Sequence, residues 1–168
     1  MNKSNSKGFT LIELLVVIAI IGLLSTLAVV ALNSARQKSR DSKRVADVKQ
    51  MQTALELFFA DQNLYPAAAS ATVLGYNATP ANALKILCST PAAGFVTTAT
   101  GCASPATTYM GLVPAAPLPV ETGCTAGEND YTYTSASPYG TYTLTFCLGG
   151  KVGDLVAGTH TANPNGIQ

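Results

Sequence analysis

The sequence predicts an α+β fold: a long N-terminal helix, fit for a membrane in its first half and amphipathic in its second, packed on a small antiparallel sheet. Three observations predict it. Residues 9–32 form an apolar run that carries one charge, Glu13. Residues 33–63 contain neither Gly nor Pro and keep a helical hydrophobic period. From position 66 onward lie all nine prolines, and residues 67–168 hold only six charged side chains and two segments that alternate as strands do.

Residues 1–8 are polar, include Lys3 and Lys7, and lack helical periodicity, as a removable segment should. The apolar run that follows would be about 36 Å long as a helix, at about 1.5 Å per residue. That exceeds a hydrocarbon core of about 30 Å, so the run can span a membrane. It is too long for an ordinary secretory signal, and no small-x-small cleavage site follows it. Its one carboxylate is costly, about 2.5–3.5 kcal/mol at a bilayer centre on insertion scales, which points to a use for Glu13. Gly22, with Ser25 and Thr26 nearby, would allow close approach of a neighbouring helix.

Between residues 33 and 63, Val45, Val48, Met51, Leu55 and Phe58 recur at spacings of three and four, which is one helical face. Arg44, Asp47, Lys49, Gln50, Thr53 and Glu56 are placed on the other faces. A continuous helix over residues 9–63 would be roughly 80 Å long. Asn63 is suited to a left-handed C-terminal cap, and Pro66 cannot continue a helix.

Ala, Thr, Ser and Gly dominate the remaining residues, 64–168, which read as a globular head. A short helix is expected over residues 80–87. Residues 131–135 and 141–148 read as strands, joined through a turn at Ser137-Pro138-Tyr139-Gly140. A third strand is expected over residues 155–161, after the Gly149-Gly150-Lys151 turn. The four parts are thus a leader (1–8), a membrane half-helix (9–32), an amphipathic half-helix (33–63) and the head (64–168).

The formal net charge is +1, and removing Lys3 and Lys7 with the leader leaves eight basic and nine acidic side chains, a charge of −1. No basic field directs the chain to nucleic acid. Cys88, Cys102, Cys124 and Cys147 all lie beyond the apolar run. An even number in a loop-rich exported region predicts two disulfides in an oxidising compartment. Zinc is the competing use, but no CxxC pair exists and His160 is the only histidine. Of the three possible connectivities the sequence-local one, Cys88–Cys102 with Cys124–Cys147, is expected. The basic flanks conflict over topology. Lys3 and Lys7 precede the run, while Arg36, Lys38, Arg40, Lys43 and Arg44 follow it, and counting alone would place the second flank in the cytoplasm. The cysteines argue the reverse.

Residues 7–13, Lys-Gly-Phe-Thr-Leu-Ile-Glu, followed by the hydrophobic run, resemble the type IV prepilin signature shared by type IV pilins and type II secretion pseudopilins. Asp61-Gln62-Asn63-Leu64-Tyr65-Pro66 resembles a second motif, Asp-x-Gly/Asn-x-Tyr-Pro, found where the helix ends in many of these proteins. The resemblance implies leader cleavage between Gly8 and Phe9 by a prepilin peptidase, which also N-methylates Phe9. It further implies that the Glu13 carboxylate of an incoming subunit pairs with the N-terminal amine of a neighbour. Two such charges about 4 Å apart attract by about 4 kcal/mol at an effective dielectric of 20, before desolvation is subtracted. The alternative for Glu13 is a carboxylate that snorkels to the headgroups. Val29-Val30-Ala31 lacks the proline common at this point of the family, so local helix melting is not implied.

The resemblance implies a subunit of a type IV pilus-like filament: a homo-oligomer, anchored in lipid of the bacterial inner membrane with its head outside, then part of a surface filament raised by inner-membrane assembly machinery. The nearest other reading is a type II secretion pseudopilin. A reading from another class is a monomeric, signal-anchored exported binding domain. An enzyme is the least supported class, since no catalytic triad or metal motif is present and no cofactor is implied. Glu128, Asn129 and Asp130 are a candidate calcium loop by their oxygen donors, although three such residues in a row are more often a solvated turn. Asn77-Ala78-Thr79 matches a glycosylation sequon with Pro80 behind it, and carries no weight.

Overall fold

A computed structural model describes residues 8–75, 83–89, 94–102, 105–125 and 127–168. Lys3 and Lys7 of the leader and the Asn77 sequon lie outside the described residues. The chain divides into two compact units, the first ending at Arg36 and the second comprising Gln37–Gln168. One helix, α1, spans Leu11–Gln62 and passes unbroken through Gly22 and Val30. That continuity follows from the sequence, since no proline interrupts it.

In the first unit every described residue from Gly8 to Arg36 is exposed. The large apolar side chains here stand open, from 48% at Val17 to 86% at Phe9. α1 is apolar enough in this part to cross a membrane.

In the second unit, α1 supplies one layer and two antiparallel sheets supply the other. The strands are β1 (Ala68–Leu74), β2 (Ile86–Cys88), β3 (Phe95–Val96), β4 (Thr108–Met110), β5 (Tyr131–Ser135), β6 (Thr143–Leu148), β7 (Gly158–Asn163) and β8 (Gly166–Ile167). The larger sheet has the order β1-β5-β6-β7-β8 and the smaller β3-β2-β4. Val48, Met51, Leu55 and Phe58 of α1 are buried with Tyr131 and Tyr133 of β5 and Leu144, Phe146 and Leu148 of β6. Alternation sets this arrangement: Tyr131, Tyr133 and Ser135 point inward while Thr132 and Thr134 are half-buried on the opposite face.

The helix stops as its residues dictate. Asn63 adopts φ 55°, the left-handed conformation, and its amide bonds to the Phe59 carbonyl at 2.7 Å. Tyr65 then turns back under the helix. It is 2% exposed, its ring lies 4.6 Å from that of Phe59 and 4.7 Å from that of Tyr142, and its hydroxyl donates to Glu56 at 3.0 Å. The Pro66 carbonyl accepts from the Tyr133 hydroxyl at 2.8 Å. The Tyr-Pro pair therefore pins the helix end to the sheet.

Four expectations change. Residues 83–87 of the expected 80–87 helix hold a bridge at Leu84 and the start of β2, and 80–82 lie outside the described residues. β2 pairs on both edges, with β3 and β4, and that backbone pairing outcompetes a one-turn helix. The third strand runs Gly158–Asn163 instead of 155–161, because Val152 and Leu155 close their own turn first. β1, the sheet of β2–β4, and β8 were not anticipated. Finally, Arg44 and Asp47 are buried, at 0% and 8% exposure, and not on solvent faces.

Their burial has a partner set. Asp41, Arg44 and Asp47 lie on one side of α1 at i, i+3, i+6. Arg44 Nη1 donates to Asp41 Oδ1 at 3.0 Å and to Glu121 Oε1 at 3.3 Å, and Nη2 to the Pro117 carbonyl and Asn129 Oδ1 at 2.9 and 2.7 Å. Arg40 pairs with Glu121 through Nε, and through Nη2 at 3.1 Å. Asp47 accepts from Lys43 at 2.7 Å and from the Tyr131 hydroxyl at 3.1 Å. Three cations thus face three carboxylates, which is the condition for burying charge at tolerable cost.

Candidate functional site: the start of the helix

The first residues of α1 are set by a reciprocal cap. Thr10 is the N-cap, and Glu13 stands three residues later, the spacing of a capping box. Thr10 donates to Glu13 Oε2 through its backbone N at 2.8 Å and through Oγ1 at 2.6 Å. The Glu13 amide in turn reaches Thr10 Oγ1 at 3.3 Å. Among the described residues nothing donates to Glu13 Oε1 in these bonds. The negative side chain also sits where the helix dipole favours it.

This cap is the local role the sequence reading overlooked, although Thr10-Leu11-Ile12-Glu13 carries its signature openly. It is a role for Glu13 distinct from the two expected from the sequence, pairing with an amine and snorkelling. Around it, Phe9, Ile12, Val16 and Val17 line a shallow apolar groove of about 360 Å³. Gly8 and Phe9 lie before the helix and are exposed. A Cβ placed on Gly8 would meet nothing within 4 Å, so the fold itself does not require glycine there.

The remaining candidates lie in the head. Cys88 of β2 is bonded to Cys102, and Cys124 to Cys147 of β6, with Cα–Cα separations of 5.9 and 6.0 Å. The first bond closes the β2–β3 region, and the second fastens the segment before β5 to the larger sheet. Glu128, Asn129 and Asp130 do not converge on a common point by their bonds. Asn129 Oδ1 is taken by Arg44, and Glu128 Oε2 accepts from the Thr125 amide at 2.9 Å, which holds its carboxyl below the usual range. Asp130 is half-buried, and desolvation raises its carboxyl. Among the described residues no three His, Cys, Asp or Glu side chains are grouped to hold a metal ion.

Comparison with known proteins points to the same segment as the cap. Residues 3–29 match the family model described as the prokaryotic N-terminal methylation motif. The chain is 39% identical over 66 residues to the type II secretion system core protein G of Aeromonas hydrophila, covering 39% of this chain and 46% of that protein. It is 40% identical over 79 residues to the type IV wide pilus major component PilA4 of Thermus thermophilus, covering 46% and 60%. With the type IV major fimbrial protein FimA of Dichelobacter nodosus it shares 42% identity over 59 residues, 35% of this chain and 38% of that protein. The matches thus span about half the length of these relatives. No solved structure matches the chain.

Proposed function

Within the type IV pilin and type II secretion pseudopilin family, to which the chain belongs, we propose that it is the structural subunit of a type IV pilus-like filament. A prepilin peptidase cuts between Gly8 and Phe9 and methylates the new amine. The subunit waits in the inner membrane on residues 9–32 with the head outside, and then polymerises through these helices under an inner-membrane assembly machinery. It acts as a building block and catalyses no reaction.

One observation carries the reading. The methylation motif coincides with a helix start that is wholly exposed and apolar and has Glu13 as its single charge. So large an apolar surface cannot remain in water, and lipid or partner helices are the two environments that would cover it. Glu13 Oε2 is engaged by Thr10 while Oε1 is left for a donor from outside, and the cut, methylated Phe9 amine of a neighbour is such a donor.

The head-outside topology is proposed from the cysteines, against the count of basic residues in the second flank. Two disulfides agree with an oxidising compartment for the head.

A secretion pseudopilus is the second reading, favoured by the likeness to core protein G and by the Tyr65-Pro66 motif. The test of the shared claim is intact-mass analysis of the subunit from membranes, with electron microscopy of sheared filaments. A chain beginning at N-methyl-Phe9 and present in filaments is expected. A subunit that retains Met1, or is cut near residue 35, would contradict it and return the chain to the anchored-domain reading.

A further inference from the structure

The segment between β4 and β5 crosses α1 and is held there by charge. Val113, at 0% exposure, fixes its start, and the bond from Cys124 to Cys147 fixes it eleven residues later. Between them the only side chain both charged and buried is Glu121, 4% exposed. Its two oxygens are held by Arg40 and Arg44. Beyond the Arg44 bond to the Pro117 carbonyl at 2.9 Å and the partly buried Ala116, the stretch offers little grip: Leu118 and Val120 are 75% and 41% exposed. Ala115 packs on Gly75, where an added Cβ would approach the Ala115 Cα to 2.7 Å, so the weakly held part is residues 116–123.

The seat for Glu121 is built. A Cβ on Gly149, after β6, would come within 2.5 Å of the Glu121 Cβ and 2.7 Å of Gln37 Nε2. Gly149 has no need of a left-handed conformation, so the space it leaves is what it contributes. Its amide donates to Asp41 Oδ1 at 3.1 Å, closing the seat from the sheet side.

We propose that residues 116–123 form a proton-sensitive latch, closed on α1 while the Glu121 carboxylate lies between Arg40 and Arg44 and released when that carboxylate is protonated. A carboxyl protonated on Oε2 would lose the Arg40 Nη2 bond, and its two guanidinium bonds at Oε1 would lose the charge that makes them strong. The hydrogen bond from Arg40, with a further contribution from Arg44, holds the Glu121 carboxyl below its ordinary range against the opposing effect of burial. The folded pKa is depressed, so the closing interaction is complete above the ordinary carboxylate range. It is lost as pH falls through the depressed value. The charged groups around the seat are Arg40, Asp41, Lys43, Arg44 and Asp47 of α1, and the neutral polar groups are Asn129 before β5, the Tyr131 hydroxyl of β5 and the Gly149 amide after β6. The disulfide at Cys124 confines the movement, so release would free a loop without unfolding the head.

Backbone relaxation of the full chain in detergent micelles tests this. At pH 7 the amides of residues 116, 118 and 120–123 should be rigid, with order parameters near about 0.85, and should fall below about 0.6 toward pH 3 while β5 and β6 remain rigid. Glu121→Gln should show the open values already at pH 7. Gly149→Ala, which displaces Glu121 without altering charge, should do the same. Arg40→Gln, which removes only the half-exposed arm, should raise the pH of opening, and it serves where Glu121→Gln does not fold. The latch is overturned if Glu121→Gln is as rigid as wild type at pH 7, if Arg40→Gln leaves the midpoint in place, or if the sheet loosens together with residues 116–123.

Discussion

Arg44 Nη2 donates to Asn129 Oδ1 at 2.7 Å, joining residues 85 positions apart in a place with almost no solvent. The same guanidinium also holds Asp41 and Glu121, so one cation serves two buried carboxylates. Removing it would leave Asp41 without its cation and Glu121 with Arg40 alone. Arg44→Met should therefore cost about 3–5 kcal/mol, the range for a broken buried pair. Replacing Asp41, Arg44 and Glu121 together by apolar residues should cost less, since the charge then left without its partner is the partly exposed Arg40. Denaturant titration of the full chain in micelles compares the two, and equal costs would show that packing, not charge, is at stake.

The apolar face of α1 in the head gives a plainer contrast. Leu55 is fully buried and Leu57, two residues on, is 54% exposed. Leu55→Ala should lose about 2–5 kcal/mol. Leu57→Ala should change stability by less than about 0.5 kcal/mol. Similar losses at both positions would mean that Leu57 is covered in the folded subunit.

Each disulfide closes a loop of modest size, with sequence separations of 14 and 23. Replacing either pair by serine should cost about 3 kcal/mol by loop-closure entropy. Peptide mapping without reduction should join Cys88 to Cys102 and Cys124 to Cys147. A peptide joining Cys102 to Cys124 would contradict the fold described here.

Tyr65 ties the helix end to the head by both ring and hydroxyl. Tyr65→Phe should lose about 1 kcal/mol with the bond to Glu56, while Tyr65→Ala should lose about 3–5 kcal/mol with the aromatic stack. Thermal melts of the two variants separate these contributions. A Phe variant as unstable as the Ala variant would assign the role to the hydroxyl alone.

Most of the helix was legible in the sequence because its signals are local. Val48, Met51, Leu55 and Phe58 follow the helical period, Asn63 and Pro66 mark the stop, and the alternating segments 131–135 and 141–148 contain the strands Tyr131–Ser135 and Thr143–Leu148. Partnership across distance was not legible. Arg44 and Asp47 read only as residues off the apolar face, because their distant partners, Glu121 and Asn129 for Arg44 and Tyr131 for Asp47, lie some 80 residues away. β2 has only three residues, and its strand character comes from β3 and β4 on either side. At the candidate site, Glu13 stood out as a lone charge, which drew attention from the ordinary cap it makes with Thr10.

That cap makes Glu13→Gln the sharpest test of the filament account. Glutamine can still accept from Thr10 as the third helical residue, so the helix start should survive. It carries no charge for a neighbour's Phe9 amine. The account predicts that Glu13→Gln subunits insert, lose residues 1–8 at the normal rate and accumulate in the membrane, while sheared extracellular filaments fall below detection. Normal filament yield from processed Glu13→Gln chains would contradict it, and would leave Glu13 as a helix cap only.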